Sequence, residues 1–162
     1  MVRKALFSDI DTILKIYEKA RQYMAETGNP KQWSDSYPQK ELVIKDIEGG
    51  NLLVLEDGSD IYGVFAFFPD GDTVYDDIDG EWLNSLPHAA IHRVASAGTK
   101  KGVLAECIEH CLSKSNNLKI DTYITNKIMQ HQLLKYGFVN CGSLKGELAD
   151  FLVYQLYKGE EI

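Results

Sequence analysis

Apolar residues recur at helical spacing near the start of the chain. Ile10, Ile13, Leu14, Tyr17, Ala20 and Met24 lie on one face. Ser8 precedes them as a cap candidate, with Asp11 three residues on, so the pattern predicts a first helix from Ser8. The turn-rich segment "TGNPKQWSDSYP" (27–38) follows. A second helix is predicted over 39–48, stopped by Gly49 and Gly50. The pattern then shortens. "NLLVLE" (51–56) and "IYGVFAFFP" (61–69) read as two strands of an antiparallel hairpin.

After the acidic stretch 70–82, "HAAIHRVAS" (88–96) reads as a strand. Val103, Leu104, Cys107, Ile108, Cys111 and Leu112 form the stripe of a third helix. "LKIDTYI" (118–124) is a further strand, 126–136 a further helix, and 137–146 with 150–158 a closing pair of strands. Interleaved helices and strands define a mixed α/β (α+β) domain around a central, mostly antiparallel sheet flanked by helices.

A length of 162 residues with no linker predicts one domain over 1–162. The formal net charge of −7 argues against general nucleic-acid binding, which needs a basic face. No apolar run approaches the ~20 residues of a membrane span, and no signal peptide is visible. The three cysteines show no metal-type spacing, which fits a reduced, cytoplasmic setting.

"GTKKGVLAECIEH" (98–110) carries the first candidate chemistry. Gly98 and Gly102 bracket Thr99, Lys100 and Lys101 between a strand and a helix start. That geometry aims backbone N–H groups at an anion, and two lysines add charge. Neither the Walker pattern nor the dinucleotide fingerprint is present. On these residues alone, a phosphate turn and an ordinary strand–helix loop both remain open.

The neighbouring segments resemble the GCN5-related N-acetyltransferase (GNAT) superfamily, in its bacterial branch, over nearly the whole chain. "IHRVAS" with "GTKKGVL" is similar to the family's fourth strand and acyl-CoA pyrophosphate loop. "IDTYITNKIM" is similar to its fifth strand and the helix after it. "LLKYGFVNCG" is similar to the end of that helix and the sixth strand, and "QWSDSYP" to an acceptor-side loop.

The resemblance implies a GNAT fold and acetyl-CoA as cosubstrate. It implies that Val94, Ala95 and Ser96 present backbone groups to the pantetheine arm. Thr99, Lys100, Lys101, Gly102 and Val103 would wrap the pyrophosphate, and Asn126 would hydrogen-bond the cofactor. Two positions depart from the family pattern. Leu104 stands where a small residue lets the helix approach the phosphates, and Leu133 stands where a tyrosine often serves as general acid.

Acetyl transfer to an amine needs a base for the amine proton, polarisation of the carbonyl and a proton for the departing thiolate. His88 and His92 are the candidate bases, placed by alternation on one strand face with Ala90 and Val94. Tyr136 is a candidate acid, as are His131 and Tyr123. Trp33 and Tyr37 either line an acceptor pocket or seal the core beneath their loop. Asp121 reads as a structural acceptor or a site residue. Asp70, Asp72, Asp76, Asp77, Asp79 and Glu81 either draw a cationic amine or form a solvated loop. Cys107 and Cys111 read as core, and no metal site is expected.

The expected function is transfer of an acetyl group from acetyl-CoA to a small-molecule or protein amine, by direct attack. The alternative is a non-catalytic acyl-CoA-binding or sensing protein of the same fold. A homodimer is compatible with either, and neither nucleic acid nor membrane is expected as a partner.

Overall fold

A computed structural model describes residues 1–159. The helices are α1 (Ile10–Glu26), α2 (Lys40–Glu48), α3 (Val103–Leu112) and α4 (Lys127–Lys135). The strands are β1 (Val2–Lys4), β2 (Leu52–Asp57), β3 (Asp60–Phe68), β4 (Asp79–Gly80), β5 (Ala89–Ser96), β6 (Asn117–Tyr123), β7 (Val139–Ser143) and β8 (Phe151–Tyr157). They are ordered β1-β2-β3-β5-β6-β8-β7-β4. The β5–β6 pair is parallel, and β1–β2, β2–β3, β4–β7, β6–β8 and β7–β8 are antiparallel. The mixed, mostly antiparallel sheet with helices is therefore the one expected.

The chain divides into two compact units, one of residues 1–67 and 92–110, the other of residues 68–91 and 111 onward. In the first unit, β2 and β3 are buried along most of their length, so their apolar residues run continuously rather than alternating. A two-residue turn joins them, with Gly58 at φ +64° in its first position. Leu55 faces Gly63 and Glu56 faces Ile61, which leaves Tyr62 as the extra residue of a bulge. The Tyr62 carbonyl accepts the Ala97 N–H instead, at 2.9 Å.

Helix α1 begins later than its sequence signal. Residues Phe7–Asp9 form a 3₁₀ turn, and the helix starts at Ile10 rather than at Ser8. Asp9, not Ser8, organises this end. Its carboxylate accepts the Leu6 N–H at 2.7 Å and pairs with Arg3, which also bonds Glu56. The short β1 has too few residues to show a period, so the pattern of apolar positions does not reveal it.

In the second unit, Tyr75, Ala90, Cys141, Leu144 and Val153 form a buried cluster, with Phe68, Val74, Ile78, Trp82 and Phe151 packed against it. A carboxamide network lies beside it. Gln155 Nε2 donates to Asn117 Oδ1 at 2.7 Å, Gln155 Oε1 accepts the Leu83 N–H, and Asn117 Nδ2 donates to the Pro87 carbonyl. These bonds tie residues 83–87, which precede β5, to β6 and β8.

Candidate functional site

The strand–turn–helix of the first unit has the form its sequence predicts. Gly98 and Gly102 both take positive φ, +78° and +82°, where a Cβ would be strained. The Gly98 N–H donates to Ser96 Oγ at 3.0 Å. The Gly102 carbonyl accepts the first helical bond, from Glu106 N–H. The first N–H groups of α3 therefore lack intrahelical partners and lie at the positive end of the helix dipole. Thr99, Lys100, Lys101 and Gly102 are exposed. A Cβ on Gly102 would meet nothing within 4 Å among the described residues, so the space beside that amide is open.

Gly63 sets the position of the helix start. A Cβ there would lie 2.9 Å from Val103 Cγ1 and 3.0 Å from Leu55 Cδ1. Its absence lets α3 settle onto β3. Leu104, expected to narrow the approach to the turn, is only 7% exposed and packs inward with Val103. Its side chain does not stand in the turn's mouth.

The two lysines differ. Lys100 Nζ lies 4.3 Å from the Tyr62 ring centroid and 3.8 Å from Glu106 Oε1. Desolvation is the largest single influence and opposes its charge, but the Tyr62 hydroxyl, Glu106 and Asp57 together outweigh it and raise its pKa. Lys101 carries its charge at an exposed position of the same turn.

Along β5, Arg93 has φ +51°, the left-handed region. For a residue with a Cβ this costs roughly 1–2 kcal/mol. His92, Arg93 and Val94 at this bend are all half-buried. The guanidinium is buried against Asp46 of α2, with Nε–Oδ2 at 3.0 Å and Nη2–Oδ1 at 3.1 Å. Asp46 is only 4% exposed, and burial raises its pKa against the opposing pull of Arg93. Arg93 Nη1 donates to the Tyr37 hydroxyl at 3.4 Å, and the Tyr17 hydroxyl donates to the Arg93 carbonyl at 3.1 Å.

Trp33 is 9% exposed and meets Tyr17 and Tyr37 edge-on, with centroids 5.6 and 5.9 Å away. It seals the core beneath its loop. Tyr37 is half-buried, and its carbonyl accepts from Arg21 Nη1 at 3.0 Å. Sequence reasoning passed over Tyr62, Glu106, Asp46 and Arg93. One signal was available: Asp46 stands three residues after Val43 on the apolar face of α2, where a lone carboxylate implies a buried partner.

In the second unit, His88 precedes β5, and its Nε2 accepts the Asp72 N–H at 3.2 Å. Its ring meets Tyr75 edge-on. The Tyr75 hydroxyl donates to Asp121 Oδ2 at 2.7 Å, so Asp121 is a hydrogen-bond acceptor for a buried phenol. Asn126 caps α4, its Oδ1 accepting the Met129 N–H at 3.1 Å. Tyr136 is the half-buried C-cap of α4, Leu133 is fully buried, and His131 is exposed. Tyr123 donates to Asp150 at 3.2 Å. Among the described residues, no group of three or more His, Cys, Asp or Glu could hold a metal ion, and no helix is long and apolar enough to cross a membrane.

Several solved structures described as acetyltransferases share this fold. The chain is 30% identical to a GNAT-family acetyltransferase from Streptococcus agalactiae, covering 99% of this chain and 96% of that one at a TM-score of 0.85. A protein assigned as an acetyltransferase from Staphylococcus aureus is 28% identical over 97% of this chain and 98% of its own, at a TM-score of 0.72. YncA from Salmonella typhimurium, assigned as an acetyltransferase and solved with its cofactor acetyl-CoA, shares the fold at 17% identity. That match covers 99% of this chain and 95% of yncA, at a TM-score of 0.65. No protein-family model and no curated protein matches the sequence. The chain belongs to the GNAT family of acetyltransferases.

Proposed function

We propose that this protein is one acyltransferase domain that moves an acetyl group from acetyl-CoA to an amine in the cytoplasm. The observation that carries the reading is the turn at the start of α3. Two left-handed glycines, an open space at Gly102 and exposed backbone amides suit a diphosphate. Burial of Leu104 removes the obstacle its size implied. The solved structure of yncA with acetyl-CoA supports the choice of cofactor.

In this reading, acetyl-CoA brings the acyl group as a thioester, whose C–S bond is exchanged for a C–N bond to the acceptor. The amides of residues 99–103 hold the pyrophosphate, with Lys100 and Lys101 adding charge. Backbone groups of Val94, Ala95 and Ser96 align the pantetheine arm and polarise the carbonyl. The resemblance also assigns the cofactor Asn126, whose carboxamide oxygen caps α4.

We take His92, which lies within β5 beside the segment 94–96, as the candidate base, with His88, whose Nε2 accepts the Asp72 N–H, as the second. His92 takes the proton from the amine nitrogen, and water returns one to the sulfur. Tyr37 borders the acceptor, a small-molecule or protein amine, and Trp33 braces it from the core.

A second reading rests on Leu133. It is wholly buried where relatives place an acidic tyrosine, which favours a protein that binds acyl-CoA without turnover. Calorimetric titration with acetyl-CoA and with CoA tests the shared premise, and absence of binding overturns both readings. Turnover with a panel of amines separates them.

A further inference from the structure

We infer that Arg93 is a positioning residue that aligns the backbone of Val94, Ala95 and Ser96 for the pantetheine arm, through its contacts with Asp46, Tyr37 and Tyr17. This rests on the acyl-CoA reading above. The backbone at Arg93 is left-handed within a strand, a conformation that persists only where its surroundings enforce it. Three independent contacts do so. Asp46 grips the guanidinium through two hydrogen bonds at 3.0 and 3.1 Å. The Tyr37 hydroxyl takes a third guanidinium N–H. The Tyr17 hydroxyl, buried and with its pKa pushed up by burial, donates to the Arg93 carbonyl.

That carbonyl belongs to the peptide unit whose N–H is Val94, so the Tyr17 bond fixes the first plane of the arm-binding segment. The contacts come from α1, α2 and the loop that carries Trp33 and Tyr37. The segment proposed to face the acceptor thus sets the geometry of the strand proposed to hold the acyl arm. The pyrophosphate turn is held by other bonds. Ala97 N–H donates to the Tyr62 carbonyl, and Gly98 N–H donates to Ser96 Oγ. Loosening Arg93 therefore affects the arm more than the pyrophosphate.

The test compares two ligands on three proteins. Acetyl-CoA has the pantetheine arm; adenosine diphosphate has the pyrophosphate without it. Wild type, Tyr17→Phe and Arg93→Lys are titrated with both, after thermal unfolding shows that each variant folds. Tyr17→Phe removes one hydrogen bond and keeps the ion pair, so it decides the matter if Arg93→Lys does not fold. The expected result is about five- to tenfold weaker acetyl-CoA binding in the variants, with adenosine diphosphate changed by less than about twofold. Unchanged acetyl-CoA affinity, or equal loss of both ligands, overturns the positioning role. Binding of neither ligand by wild type removes the acyl-CoA reading itself, and the inference with it.

Discussion

The Tyr62 hydroxyl donates to Glu106 Oε2 at 2.5 Å, and Lys100 lies against both groups. The bulge at Tyr62 and the first turn of α3 thus share a polar contact that also reaches Lys100 of the glycine turn. Part of the Lys100 charge is answered within the protein, whereas Lys101 sits exposed on the same turn.

The two lysines should therefore be unequal in cofactor binding. Lys101→Ala is expected to weaken CoA binding about two- to fivefold at low salt, and Lys100→Ala less. Calorimetry at two ionic strengths measures both the order and its decline with salt.

Gly102 is expected to be intolerant of proline. Proline fixes φ near −65° and removes the N–H, while Gly102 sits at φ +82°. Gly102→Pro should abolish detectable CoA binding. A variant that binds as wild type does would show that the turn does not hold the pyrophosphate.

The histidines separate by turnover. His92→Ala should lower turnover about 100-fold at pH 7. His88→Ala should lower it by less than about tenfold, since the lost group is an acceptor for the Asp72 amide. The opposite pattern would transfer the base to His88.

Acid should weaken the N-terminal corner. Hydrogen bonds from Arg3 hold the Asp9 carboxyl below its ordinary range; burial opposes this and the Leu6 amide supports it. A lowered folded value means the stabilisation is complete above the unfolded pKa, about 4, and is lost as pH falls through the folded one. Denaturant unfolding should show wild type more stable than Asp9→Asn at pH 6, with the gap closing as the solution is acidified below pH ~4.

Thiol reactivity should be low until the protein unfolds. Cys107, Cys111 and Cys141 are all buried, and burial pushes the Cys111 thiol up to about 12. A thiol reagent at pH ~8 is expected to label all three only after denaturation. Fast labelling of any one in the native protein would contradict this packing.

Periodicity and turn chemistry were enough for the four helices, the hairpin, the α3 stripe and the glycine turn, but not for the short strands β1 and β4. Each feature so recovered depends on residues close in sequence: a stripe buried on one helix face, a glycine where φ must be positive. The late start of α1 escaped that logic, because Asp9 outcompetes Ser8 only once Arg3 and the Leu6 amide converge on it. The roles of Tyr62, Asp46 and Arg93 were equally hidden, since their partners lie 44, 47 and 47 residues away.

Leu104 and Trp33 mark the boundary between the two kinds of information. Residue type alone left Leu104 as an obstacle and Trp33 as either lining or core. Packing turned both inward, because the apolar surface each carries is worth more removed from water than offered to a ligand. Local order follows from short-range sterics and hydrogen bonds that a few neighbouring residues specify. Which side chains meet, and which backbone amides remain open, depends on distant segments competing for the same buried space.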